Sequence, residues 1–305
     1  MKPLSSRTNR LTRSVTLLAA AVLALSAAAC TTAGTPTVGT PQQTTAPSFL
    51  ESVDSIAALG DSMTAGVNAC GEQAACLAAS WATGSDQSVN SIAQRIGELS
   101  GTAPKVFNDA RAGAMASGLA KQVDSAIKQK PALVTILIGN NDICRNTTTA
   151  MTSPTDFAGD VSAAVDKLND GLPESWVFVA SVPELAQLYP LTKSIPAATA
   201  VYKKAKMCGA ILAPGSTPAA DDTRLAEVSK RVAAYNGELK KVCEQAERCV
   251  YDDGEIAAQK FGLQDVSTLD YFHPSIEGQK RLADAAWQAL QANAVPCPSG
   301  GTDPC

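Results

Sequence analysis

Apolar residues in this chain fall into five short runs separated by stretches of helical periodicity. The runs are Ser55–Leu59, Lys105–Phe107, Ala132–Ile138, Trp176–Ala180 and Cys249–Tyr251. The third, Ala-Leu-Val-Thr-Ile-Leu-Ile, is apolar almost throughout, as expected of a strand covered on both faces. Between the runs the period lengthens. Over 222–248, Leu225, Val228, Val232, Tyr235, Leu239 and Val242 recur at steps of three and four, the stripe of an amphipathic helix. Strand and helix alternating five times predicts an α/β domain with a parallel five-stranded sheet and helices on both faces. In such sheets ligands bind beyond the carboxyl ends of the strands, so the polar residues that follow each run are the ones to inspect.

The ends of the chain depart from this pattern. Residues 1–29 carry Lys2, Arg7, Arg10 and Arg13 and no acid, then the apolar run Val15–Ala29, the layout of an export signal. That run is shorter than the roughly 20 residues a membrane span needs. Ala27, Ala28 and Ala29 before Cys30 are similar to a bacterial lipoprotein processing site, although Ala27 stands where leucine is usual. Cys30 is therefore the expected lipidation site and membrane anchor, with plain secretion after nearby cleavage as the alternative. Either outcome exports the mature protein. Residues 31–50 have no charge and are rich in Thr, Pro, Gly, Ala and Gln, so 30–50 is read as a flexible linker. The stretch 297–305 is a Pro- and Gly-containing tail, which leaves 51–296 as one folded domain, expected to be monomeric.

The formal charge of −4 contains the four basic residues of that leader; without them 21 basic and 29 acidic residues remain, a charge of −8. Nucleic acid and anionic membrane surfaces are poor partners for so acidic a chain. Eight cysteines besides Cys30 in an exported chain argue for disulfides. Closeness in sequence favours Cys70–Cys76, Cys243–Cys249 and Cys297–Cys305, leaving Cys144 with Cys208. The chain has one histidine, His273, so zinc sites built on two or three histidines are excluded, and no metal or cofactor is expected.

The residues after the strands carry the candidate chemistry. Gly60-Asp61-Ser62 follows the first, Asn108 to Gly113 the second, Gly139-Asn140-Asn141-Asp142 the third, and Asp270-Tyr271-Phe272-His273-Pro274 comes after the fifth. Each group alone is what tight turns and helix caps use, and a lone histidine is more often structural than catalytic. Together they place a hydroxyl, an amide donor, a glycine and an Asp/His pair at one edge of the sheet. In that order and spacing the chain resembles the SGNH hydrolases, or GDSL esterases and lipases. Gly60-Asp61-Ser62, Gly113, Gly139-Asn140-Asn141-Asp142 and Asp270 to His273 match the four family blocks, with Met63 in place of the usual leucine. The segments Ile138–Cys144 and Ser80–Gly84 are similar to the phospholipase B-like branch.

The resemblance implies a flavodoxin-like three-layer α/β/α fold and cleavage of carboxylic esters, the substrate being a small-molecule ester or a lipid. It implies Ser62 as nucleophile and His273 as its base. Asp270, three residues before His273, orients the ring. The oxyanion donors are the backbone N–H groups of Ser62 and Gly113 and the amide of Asn141. Asp61 and Asp142 are read as turn organisers. Pro274 suits the first position of a helix beginning near Ser275. Acyl transfer to a sugar or lipid acceptor through the same site, or a non-catalytic envelope lipoprotein on this scaffold, are the alternatives.

Competing motifs fail at single positions. Thr64 replaces the last glycine of G-x-S-x-G. Ser125-Ala-Ile-Lys128 fits S-x-x-K but lies in a predicted helix without companion motifs. Glu72 and Gln73 replace the Lys and Ser/Thr that would follow Gly66 and Gly71 in a P-loop. The excursions 64–85 and 183–221 are expected to shape the substrate site. Trp81, Leu185, Leu188, Tyr189 and Tyr202 within them line an acyl groove or form a small core under the loop.

Overall fold

The computed structural model describes residues 48–294. The strands are β1 (Ser55–Gly60), β2 (Lys105–Asn108), β3 (Leu133–Leu137), β4 (Trp176–Val179) and β5 (Cys249–Tyr251). Each agrees with its apolar run to within one residue at either end. They form one five-stranded sheet in the order β2-β1-β3-β4-β5, all parallel, the flavodoxin-like arrangement. Every residue of β3, the central strand, is buried, whereas β2 at the edge is exposed at Lys105 and Val106. A short, charged edge strand discourages pairing with other chains.

The helices of nine residues or more are α1 (Ile92–Ser100), α2 (Leu119–Gln129), α3 (Pro154–Gly171), α4 (Pro196–Ala205), α5 (Pro218–Gln245) and α6 (Ile276–Ala292). On one face α1 packs against α6, and on the other α3 packs between α2 and α5. Phe157 of α3 and Tyr235 of α5 stack with ring centroids 3.9 Å apart, both fully buried. Burying one such ring contributes about 2 kcal/mol. Helix starts follow local chemistry: Ser91 accepts from the Gln94 N–H in a capping box, and Ser153, Thr217 and Ser275 accept from the third residue of α3, α5 and α6.

Two expectations change. The long helix begins at Pro218 rather than near 222, because Thr217 caps it and Pro218 supplies a preset φ at its first position. Pro274 is not the first residue of α6; it precedes the cap Ser275 and makes an isolated antiparallel bridge with Val266. Its role is to fix the strand-like backbone behind His273, consistent with the restriction it places on that residue.

Cys70–Cys76, Cys144–Cys208 and Cys243–Cys249 are disulfides. The expected leader, the lipidation site Cys30, most of the linker and the Cys297–Cys305 pair lie outside the described residues. Among the described residues no helix is long and apolar enough to cross a membrane.

Candidate active site

Gly60 closes β1 at φ +142°, and a Cβ there would lie 2.2 Å from the Leu137 carbonyl oxygen of β3. Only glycine permits that approach. Both backbone groups of Gly60 are met by the buried side chain of Gln122: its Oε1 accepts from the Gly60 N–H at 2.7 Å and its Nε2 donates to the Gly60 carbonyl at 2.9 Å. The chain then turns sharply, and Ser62 arrives at the carboxyl end of the sheet, where its side chain meets the loop after β5.

Ser62 Oγ is 2.9 Å from His273 Nε2, and His273 Nδ1 is 2.5 Å from Asp270 Oδ2. A carboxylate only accepts, so Nδ1 carries its proton towards Asp270 and Nε2 is left to accept from the Ser62 hydroxyl. Asp270 Oδ1 accepts from the backbone N–H groups of Phe272 and His273, both at 3.0 Å. These bonds close the tight turn that brings two residues three apart onto each other. Burial pushes the Asp270 carboxyl up, but the hydrogen bond and charge of His273 and the two N–H donors outweigh it. The group is held below the usual carboxylate range. It is therefore ionised wherever the imidazole can work as a base. This chain of three groups can move a proton off a serine hydroxyl and return it.

The remaining candidates lie in the turns that follow β1, β2 and β3. Gly113 sits at φ +77° with open space where a Cβ would be, so the left-handed backbone, not crowding, demands glycine. Asn141, in the single helical turn Asn140–Ile143, donates its amide to the Ala114 carbonyl at 2.9 Å, tying the turn after β3 to the loop that carries Gly113. Asp142 accepts from the Ala116 N–H at 3.0 Å and the Thr152 hydroxyl at 2.9 Å, which makes it a turn organiser. Burial pushes its carboxyl up against those bonds. Asp61 has the same duty below the nucleophile turn, accepting from the Met63 N–H at 2.9 Å and from Asn140 Nδ2 at 2.8 Å. Burial raises it to about 6 despite both bonds.

Matching of the sequence to the GDSL-like lipase/acylhydrolase model extends over residues 56–286, which takes in every one of these groups. The chain belongs to the GDSL-like lipase/acylhydrolase family. This is a family of carboxylic ester hydrolases, and the parallel sheet in the order β2-β1-β3-β4-β5 is its SGNH fold. The chain is 25% identical over 283 residues to the membrane-associated phospholipase B1 of Rattus norvegicus, covering 77% of this chain and 19% of that protein. It thus spans about a fifth of the length of the curated relatives it matches. Among solved structures it is similar to TesA (TM-score 0.48, 16% identity, 78% of this chain and 98% of that one). It is also similar to the psychrotrophic esterase EstA from Pseudoalteromonas sp. (TM-score 0.46, 14% identity, 78% and 97%).

Within this lipase/acylhydrolase domain three supporting residues escape sequence reasoning. Asn140 is the buried donor to Asp61. Gln279 of α6 accepts from the Trp81 N–H at 3.0 Å and donates to the Met63 carbonyl at 2.7 Å, so the last helix holds the nucleophile turn. Asn68 donates to Asp270 Oδ2 at 2.6 Å. Its backbone is left-handed (φ +61°), a conformation asparagine tolerates, and its partner lies 202 positions away in the sequence. Trp81 resolves as core: it is fully buried, and its indole N–H donates to Thr64 Oγ1 at 3.2 Å. Thr64 is the residue that replaces the elbow glycine, and this bond is its use. Leu185 and Leu188 line a small apolar cavity under Met63 and Phe272, and Tyr189 and Tyr202 line a larger cleft.

Proposed function

We propose that the chain is an exported serine ester hydrolase in which Ser62 is the nucleophile, His273 the general base and Asp270 the group that orients and stabilises the imidazolium. The observation that carries this reading is the unbroken chain Ser62 Oγ, His273 Nε2, His273 Nδ1, Asp270 Oδ2, with links of 2.9 and 2.5 Å. Ser62 Oγ attacks the ester carbonyl carbon as its proton passes to His273 Nε2. The carbonyl oxygen becomes an oxyanion, held by the N–H groups of Ser62 and Gly113 and the amide of Asn141. A single such donor is worth about 3 kcal/mol in the transition state. The tetrahedral carbon then releases the alcohol, which takes the proton from His273. Water attacks the acyl-serine, gives its proton to His273, and the acid leaves as Ser62 Oγ recovers that proton.

The substrate class follows from the family and from the similarity to a membrane-associated phospholipase B1: a small-molecule ester or a lipid. Three disulfides support residence outside the cytoplasm. The leader and Cys30 motif support a lipid-anchored domain, residues 51–296, held off the membrane by the 30–50 linker and acting as a monomer. The test is turnover of p-nitrophenyl esters from acetate to palmitate. Ser62→Ala and His273→Ala should each lower kcat by about a thousandfold or more with the fold intact by circular dichroism. Undiminished hydrolysis by Ser62→Ala would sink the mechanism.

A further inference from the structure

The excursion between β4 and α5 contributes none of the groups assigned to the chemistry at Ser62. It carries the turn Leu188–Thr192, helix α4 and the turn Gly209–Leu212. Together with Asn146 these enclose an open cleft of about 710 Å³. Tyr202 and Leu212 are buried in its floor, Met207 is half-buried in its wall, and Lys193, Lys203 and Lys206 stand exposed around it. A cleft of this size with an apolar lining and a few charged groups has the make-up of a ligand site.

The charges are what single it out. Outside its leader the chain is strongly acidic, yet three ammonium groups gather here. Lys193 lies over the Tyr189 ring, 5.6 Å from its centroid. None of the three forms an ion pair among the described residues, whereas Arg224 beneath is paired with Asp221 at 2.8 Å. Three like charges around an apolar cleft repel one another and attract an anion. Net charge counted over the whole chain hides this local inversion.

The cleft is also fastened to both sides of the catalytic edge. Tyr202 Oη donates to the Tyr271 carbonyl at 2.7 Å, two residues before His273. Cys208, beside Met207, is disulfide-bonded to Cys144, three residues after Asn141. The walls of the cleft are thereby tied to the two turns that would hold an ester at Ser62.

We propose that this cleft selects acidic glycerophospholipids as substrates. The headgroup phosphate takes the place between Lys193, Lys203 and Lys206, and an acyl chain lies over Tyr202, Met207 and Leu212. Lysine suits this as a point charge on a flexible stem that a phosphate can share with others. The proposal rests on the Ser62 hydrolase reading and names the substrate of that site.

The test uses dihexanoyl-phosphatidylglycerol and dihexanoyl-phosphatidylcholine below their micelle concentrations, so that attraction to an anionic surface plays no part. Wild-type protein should show kcat/KM about tenfold higher for the glycerol lipid, a difference of about 1.4 kcal/mol. That ratio should fall towards unity in K193Q/K203Q/K206Q, invert in the triple glutamate variant, survive in the triple arginine variant, and shrink near 1 M salt, where the Debye length is about 3 Å. Hydrolysis of p-nitrophenyl butyrate by the wild type runs in parallel. If that ester is cleaved but the two lipids are used equally or not at all, or if charge reversal leaves the ratio unchanged, the cleft assignment is overturned and the hydrolase reading stands. If wild-type protein cleaves neither the butyrate nor either lipid, the hydrolase reading falls, and this inference with it.

Discussion

Asp270 is held by four hydrogen bonds, and the one from Asn68 comes from a distant loop. Asn68 is itself fixed on both sides: its N–H donates to the Ala74 carbonyl at 2.9 Å, its carbonyl accepts from the Ser267 hydroxyl at 2.8 Å, and the disulfide Cys70–Cys76 closes the loop it begins. A hydrogen bond to a charged group contributes about 1.5–3 kcal/mol, and part of that should be felt at the imidazole. Alanine is a poor probe at φ +61°, because its Cβ adds strain; Asn68→Gly removes the side chain without it. We expect Asn68→Gly to lower kcat about tenfold with little change in KM, and to shift the downfield proton resonance of His273 Nδ1–H. The chain has one histidine, so that signal has one source. Wild-type kcat with an unmoved resonance would remove Asn68 from the positioning of the acid. Ser62, Asn141, Asp270 and His273 could be picked out beforehand because each directly follows a recognisable strand or lies in a short local motif. Asn68 could not, since nothing local distinguishes a turn asparagine from one that reaches across the fold.

The element that carries Ser62 is a turn built over a buried carboxylate, and this gives it a pH dependence of defined sign. Asp61 is raised by burial from 3.8 to about 6, so between those values the folded protein binds a proton that the unfolded chain has released. Stability is then greatest below pH 4 as far as this group is concerned, and falls as pH rises towards 6, by about 3 kcal/mol in all. Asp142 and Asp252, also raised by burial, act in the same direction, while Asp270 and Asp284, lowered by their partners, act in the opposite one. The contribution of Asp61 is isolated by comparison with Asp61→Asn. The new amide keeps an oxygen for the Met63 N–H, and its nitrogen can meet Asn140 Oδ1, a buried atom with no hydrogen-bond partner among the described residues. Urea unfolding should show Asp61→Asn gaining on the wild type by up to about 3 kcal/mol between pH 4 and pH 7. A difference that does not change with pH would mean the carboxyl is not shifted. Elements as such were largely legible. The strands are continuous apolar runs because helices cover both faces, and periodicity alone marked most of α5. Its first turn was not legible in the stripe, since residues 218–221 are held by the Thr217 cap and Pro218 and contribute nothing to the buried face. Nor were α4 and the short turns around it. Helix α4 buries only Ala198 and Tyr202, and the turns Leu188–Thr192 and Gly209–Leu212 are too short to show a repeating stripe; all are shaped by Pro196 and the Cys144–Cys208 link.

At the scale of the whole molecule, the catalytic edge, the lysine cleft and the expected anchor bear on one property, which ester the enzyme meets. With the proposed anchor in place, a tether of about 20 uncharged residues would keep the domain near the membrane surface, because a random-coil chain of that length spans roughly 25 Å on average. Its local lipid concentration is then set by the tether rather than by affinity, the usual gain from linking a catalyst to its substrate phase. Single-chain lipid anchors bind marginally, and stable attachment takes at least two acyl chains. Anchoring through Cys30 alone therefore requires that it carry more than one chain. Expressed with its own leader in a bacterial host, the wild-type chain should incorporate labelled fatty acid and sediment with membranes. Cys30→Ser should lose the label and move to the soluble exported fraction. The Cys30→Ser enzyme should keep its kcat/KM on dispersed short-chain esters, since residue 30 precedes the residues 56–286 matched to the family, while its rate on vesicles falls by the lost local concentration, about a hundredfold. Equal labelling of the two proteins would exclude Cys30 as the site. An unlabelled wild type found in the medium would replace the anchored enzyme with a secreted one, and the vesicle rates of the two proteins would then coincide.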